Sequence, residues 1–158
     1  MPVLRKLGTV LALALVLSTG SVGWPRSVAN ADQVKEISAR QLFAMMSSSA
    51  DLAIIDISTP GEYDEGHIKG SLMGDSGLIQ TRPEQYLDSL GIKKSDTIVL
   101  TCATGRKSYR VAAILLRTGY QNVYNLAGGK IDWRAAGMIW LPVTERSKHY
   151  QINARIPI

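Results

Sequence analysis

The 158 residues include one cysteine, one phenylalanine and two histidines. A lone thiol closes no internal disulfide, which excludes a disulfide-stapled scaffold. One cysteine and two histidines are too few ligands for an ordinary zinc site, so no metal is expected. A Cys–His hydrolase would have only His67 and His149 to draw on for its oriented base. No GxGxxG or P-loop pattern occurs, Gly128-Gly129 reads only as a turn, and no cofactor is expected. Internal repeats and low-complexity tracts are also missing. The longest apolar run near the start, Leu7 to Leu17, falls short of the ~20 residues that span a bilayer.

What is present begins with charge. The formal net charge is +5 and the sequence pI is about 9.5, which at first suggests an anionic partner. That charge is unevenly placed. Arg5 and Lys6 precede the apolar run, and Ala29-Asn30-Ala31 is a small-x-small cleavage pattern, so residues 1–31 read as a secretory signal peptide. An uncleaved membrane anchor is the alternative, and no cysteine near the cut supports lipidation. Arg5, Lys6 and Arg26 belong to this leader. The remaining chain holds 15 of the 18 basic residues against all 13 acidic ones. No nucleic-acid partner is expected at that balance. Membrane contact is expected only through the export signal, and the expected location is secreted, in the bacterial periplasm.

Residues 32–143 are expected to form one domain, with 144–158 as a C-terminal tail. Val34–Ile37 reads as a weak first strand. Ser38 can cap a helix that places Leu42, Phe43 and Met46 on one face. Leu52–Ile57 is an almost unbroken apolar run of the kind buried on both faces of a parallel sheet. Pro60 suits an early helical position, and Ser71–Met73 reads as a short edge strand before a polar stretch. Pro83–Leu90 reads as a helix closed by Gly91, and Thr97–Thr101 is the clearest buried strand. A helix over Ser108–Thr118 stops at Gly119, with Arg110 and Arg117 on a solvated face. Asn122–Leu126 is a further strand, and Asp132–Ala136 a short last helix. Strands alternating with helices indicate an α/β fold with a mostly parallel sheet, whose ligands bind beyond the strands' carboxyl ends.

Cys102 stands at such an end. Cys102-Ala103-Thr104-Gly105-Arg106-Lys107 joins a strand to a helix. A helix amino terminus offers unpaired N–H groups and the positive end of the dipole. A glycine-containing loop can turn successive N–H groups inward around an anion, and Arg106 and Lys107 add positive charge. Each effect favours thiolate over thiol, making Cys102 the candidate nucleophile. The bland alternative is a small buried hydrophobe with no chemistry.

The segment Asp56-Ile57-Ser58-Thr59-Pro60-Gly61-Glu62-Tyr63-Asp64-Glu65-Gly66-His67-Ile68 resembles the first signature of rhodanese-like domains. Thr101 to Ser108 resembles their active-site loop, and Gly119 to Gly129 with Trp133 their closing segment. Loop and leader together look most similar to small periplasmic single-domain rhodaneses of the phage-shock protein E type. The resemblance implies a central parallel sheet flanked by helices on both faces. It also implies transfer of sulfane sulfur from a small anionic donor such as thiosulfate, through a Cys102 persulfide, to cyanide or a thiol acceptor. Ala103, Thr104, Gly105, Arg106 and Lys107 would bind substrate, their N–H groups around the persulfide and Arg106 and Lys107 on the anion. Ser108 would shape the return into the helix.

Ser58 departs from the arginine common in the first signature, and Asp56 and His67 are expected to serve structure. A cysteine phosphatase needs arginine six residues after its cysteine to clamp a phosphate bidentately, and that position here is Ser108. Two readings from other classes stay open: a non-enzymatic sulfide, redox or partner-binding module on the same fold, and a persulfide carrier serving a protein acceptor.

Overall fold

A five-stranded parallel sheet forms the centre of the protein, in the order β1-β6-β5-β2-β4. The computed structural model describes residues 33–48 and 51–142, so the proposed leader and tail lie outside the described residues. In chain order the elements are β1 (Lys35–Ile37), α1 (Ala39–Ser48), β2 (Leu52–Asp56), α2 (Pro60–Glu65), β3 (His67–Ile68), β4 (Leu72–Met73) and α3 (Ser76–Thr81). Then follow α4 (Pro83–Ser89), β5 (Thr97–Thr101), α5 (Arg106–Arg117), β6 (Asn122–Leu126), α6 (Gly129–Ala135) and β7 (Trp140–Leu141). β3 and β7 pair antiparallel as a separate ribbon.

The apolar runs are legible as a sheet buried on both faces. Ile55, Ile98, Leu100 and Val123 point to one side, where they meet Ile79, Leu87, Val111, Ala112 and Leu115 from α3, α4 and α5. Ile54, Val99 and Leu126 point to the other, against Leu42 of α1, Ile68 of β3 and Trp133 of α6. Alternate residues of one strand thus feed opposite cores. The expected α/β architecture, with helices on both faces, is the one observed.

Local differences from the sequence reading have physical causes. α5 begins at Arg106 instead of Ser108, because Gly105 at φ +79° supplies the turn into the helix. Gly128-Gly129 does more than turn the chain: α6 starts at Gly129. Phe43 is exposed, so the buried face of α1 is carried by Ala39 and Leu42. The polar stretch after Met73 contains α3, whose cap is Asp75, with Oδ1 accepting the N–H groups of Gly77 and Leu78. That short helix carries one buried apolar residue, Ile79, too little for a periodic signal. The expected helix at Pro60 is present, closed by a reciprocal Thr59–Glu62 capping box.

A buried ion pair joins the two halves of this frame. Lys130 Nζ, at the start of α6, lies 3.0 Å from Asp56 Oδ2 at the end of β2, and both side chains are buried. The same ammonium donates to the carbonyl oxygens of Glu62 (2.9 Å) and Gly66 (3.1 Å). The Asp56 contact is a close charge pair without hydrogen-bond alignment, for Oδ2 has no aligned donor. Oδ1 accepts the Ser58 N–H at 3.0 Å. Asp56 and His67 therefore have the structural setting expected of them. His67 stacks on Tyr63 with ring centroids 4.1 Å apart.

Removing one member of a buried pair strands the other's charge. Lys130→Met is expected to lose about 3–5 kcal/mol in urea unfolding, and Asp56→Asn combined with it to recover part of that loss. A single variant as stable as the parent would show the pair to be dispensable.

Candidate active site

The register of the sheet places Cys102 one residue beyond β5, at the carboxyl edge where Ile57 N–H donates to Thr101 O at 2.9 Å. Cys102 is 5% exposed. Its position arises from two packed layers, the loop itself and the helix behind it.

The loop carbonyls turn away from the sulfur because other groups hold them. Lys130 N–H donates to Cys102 O at 2.9 Å and Ile131 N–H to Ala103 O at 3.1 Å. These are orphan donors at the start of α6, which would otherwise need another acceptor. Gly105 O accepts Tyr109 N–H at 3.1 Å. Two glycines permit the approach. A Cβ on Gly129 would stand 2.2 Å from Cys102 O, and one on Gly105 would stand 2.7 Å from Leu126 O. Both are in the left-handed region, at φ +59° and +79°.

With its carbonyls engaged behind, the loop presents its N–H groups to the sulfur. Burial by itself pushes the Cys102 thiol up, yet the net direction is below its ordinary 9.0. The Ser108 hydroxyl and the backbone N–H groups of Ser108, Thr104 and Lys107 together outweigh burial by stabilising the thiolate. The donors that act on the sulfur belong to Thr104, Lys107 and Ser108, whereas the expectation took Ala103 to Lys107 and left Ser108 to shape the loop. Ala103 contributes its carbonyl to the rear contact, and Gly105 the turn.

The two cations of the loop have different surroundings. Arg106 is exposed at the first turn of α5, and among the described residues no ion pair or hydrogen bond holds its guanidinium. Lys107 Nζ turns aside to donate to Ile57 O at 2.9 Å. Its backbone serves the sulfur while its side chain faces the neighbouring strand end.

Ser108 is fully buried, and its one hydroxyl proton has three acceptors in reach. Asn125 Oδ1 lies at 2.7 Å, Gly105 O at 3.1 Å and Cys102 Sγ at 3.5 Å. Asn125 Nδ2 in turn donates to Glu36 Oε1 at 2.9 Å, which fixes Oδ1 toward Ser108. Glu36 and Asn125 meet because they are register partners of β1 and β6. Sequence reading named neither of these, nor Lys130. Lys130 left one signal, a lysine set among glycines and apolar residues, but nothing local pairs it with Asp56.

The family model described as rhodanese-like domain matches residues 38–136. A sulfurtransferase of Allochromatium vinosum is 33% identical over 105 residues, covering 66% of this chain and 92% of its own. The putative sulfur carrier protein YrkF of Bacillus subtilis is 28% identical, over 70% of this chain and 57% of its own. Among solved structures, the Alr3790 protein of Anabaena sp. superposes with a TM-score of 0.64 at 21% identity, covering 75% of this chain and 91% of its own. That last likeness is one of fold.

Alkylation of Cys102 by iodoacetamide, followed against pH, is expected to show a midpoint below 9.0. Ser108→Ala keeps the backbone donor, removes the hydroxyl and should move that midpoint up. A midpoint in the parent at or above that of a free thiol would contradict the cradle.

Proposed function

The chain belongs to the rhodanese-like domain family, with a sulfurtransferase among its relatives, and on that premise we propose that it is an exported thiosulfate sulfurtransferase of the periplasm. The observation that carries this reading is Cys102 just past the carboxyl end of a parallel strand, with the Ser108 hydroxyl 3.5 Å from Sγ and the donors of the loop drawing the thiol below its ordinary range.

In the first half of the reaction the Cys102 thiolate attacks the outer sulfur of thiosulfate. A Cys102 S–S bond forms, the donor's S–S bond breaks, and sulfite leaves with the electron pair. Thr104, Lys107 and Ser108 supply N–H groups to the persulfide, which bears the negative charge the thiolate had before. Arg106, held by no other group among the described residues, attracts the dianionic donor and the departing sulfite. In the second half cyanide or a thiolate attacks the outer sulfur, and the electron pair returns to Sγ. The loop's donors favour the Cys102 thiolate over the thiol, so the reaction calls for no strong base.

A persulfide carrier that hands sulfur to a protein thiol uses the same cysteine. The observation favouring it is Ile131, 58% exposed although its N–H is bonded to Ala103 O of the loop. An exposed apolar side chain on the helix that backs the cysteine loop suits a protein partner better than cyanide.

Incubation with thiosulfate is expected to add the mass of one sulfur to the intact protein, and Cys102→Ser to abolish the gain. Absence of both the adduct and thiocyanate formation from cyanide would reject the enzymatic reading. Arg106→Ala is expected to raise KM for thiosulfate about tenfold, the loss of one charge-assisted contact, with a smaller effect for an uncharged polysulfane donor. Export is tested by amino-terminal sequencing of protein recovered from the periplasm, where Asp32 is the expected first residue and a retained Met1 favours an anchor.

A further inference from the structure

The Ser108 hydroxyl has more acceptors than protons, and the group that decides between them lies outside the cysteine loop. Ser108 and Asn125 are 0% and 1% exposed, so solvent does not compete for the proton. Its nearest acceptor is Asn125 Oδ1 at 2.7 Å, whereas Cys102 Sγ stands at 3.5 Å. Asn125 follows Val123 by two residues on β6, on the sheet face that α5 covers. Either end of its amide could meet a hydroxyl, because the oxygen accepts and the nitrogen donates.

Glu36 settles that choice. An ionised carboxylate only accepts, and Glu36 Oε1 takes an Asn125 Nδ2 proton at 2.9 Å. Oδ1 is thereby committed to the Ser108 side. The β1–β6 register pairs Glu36 with Asn125 and holds the carboxylate in place. Glu36 itself is exposed, on a strand at the edge of the sheet. An unbroken line of contacts thus runs from Glu36 through Asn125 and Ser108 to the sulfur.

We propose that Glu36 is a positioning residue for sulfur transfer: by orienting the Asn125 amide it keeps a second acceptor on Ser108, which holds the hydroxyl proton whenever Sγ carries no charge. Its role in the cycle rests on the persulfide reading of Cys102. In the free protein Sγ and Oδ1 compete for the proton. Once the outer sulfur is attached, Sγ is a neutral bridging atom and the proton settles on the Oδ1 side. When the electron pair returns to Sγ in the second half-reaction, the hydroxyl turns to it again. The proton stays on Ser108 Oγ throughout. A thiolate that must win its donor from Asn125 is less stabilised and more nucleophilic, since nucleophilicity falls as thiol pKa falls. A better stabilised thiolate leaves faster, so Glu36 favours sulfur uptake over release.

Glu36→Lys replaces the acceptor by a group that only donates. Oδ1 then turns outward and Nδ2 faces Ser108 Oγ, leaving the hydroxyl proton to Sγ. The midpoint of Cys102 alkylation by iodoacetamide is expected to fall by about one pH unit, the worth of a typical hydrogen bond. Asn125→Leu removes the competing acceptor and is expected to move the midpoint the same way. In a Ser108→Ala background neither substitution has a hydroxyl to act through, and only the change of charge at position 36 remains. Arg106 and Lys107 of α5 and the Asp56–Lys130 pair between β2 and α6 are the same in both backgrounds. A larger fall with Ser108 present than without it supports the assignment. An unchanged midpoint, or equal falls in the two backgrounds, overturns it. These measurements need no sulfur donor and stand apart from the persulfide reading, which fails by itself if the parent gains no sulfur from thiosulfate. With the cysteine fully ionised, Glu36→Lys is expected to slow that gain, read by intact mass, about threefold and to speed release to 2-mercaptoethanol. Uptake at the parent's rate or faster would overturn the role in the cycle.

Discussion

The buried pair of Asp56 and Lys130 is the constraint on which the site depends. An isolated ammonium at that depth would be an uncompensated buried charge. The carboxylate at the end of β2 and two carbonyl oxygens of the α2 region supply its partners. Lys130 is also the residue whose N–H holds Cys102 O. One side chain and one backbone group of a single residue thus connect the end of β2, the start of α6 and the cysteine loop. The orientation of the loop's N–H groups is a consequence: its carbonyls are engaged on one side, so its donors face the other.

The electrostatics of the site are accordingly local. The overall charge balance of residues 32–158 says little about an anion at Cys102. What matters is a set of fixed dipoles within hydrogen-bond reach, acting where burial makes each of them stronger than in water. Burial works against the thiolate and the donors work for it, and the donors prevail. Ser108 adds a movable element. Its proton can rest on Asn125 when the sulfur is neutral and turn toward Sγ when charge develops there, with no displacement of backbone.

The parts of this arrangement differ in how far the sequence reveals them. β2 and β5 are short apolar runs between turn signals, and with strands alternating with helices they indicate a parallel sheet buried on both faces. Cys102 follows the strongest of them, so its placement at a strand's carboxyl edge needs no tertiary information. The loop's charge and glycine add the helix start. The sequence does not show α3, built on a single buried isoleucine, or the β3–β7 ribbon, which is two residues deep on each side. Nor does it show that Phe43 points to solvent, because a ten-residue helix with several apolar residues admits more than one buried face. Lys130, Asn125 and Glu36 are invisible for a further reason: each acquires its meaning from a partner distant in the chain, and their composition alone reads as surface polarity. The resemblance to a family located the frame of the site, while the supports behind the frame are properties of this chain's own packing.

The missing Cβ atoms of Gly105 and Gly129 have a consequence for how the protein can change. They let α6 pack backbone against backbone onto the rear of the loop, so the ring around the sulfur has its diameter set by a helix as well as by its own length. An added residue in the loop would have to push that helix outward and separate Lys130 from Asp56. Enlarging the ring to admit a bulkier anion is therefore coupled to the integrity of the domain. Drift toward a different leaving group is open at the rim, where Arg106 stands free of that coupling.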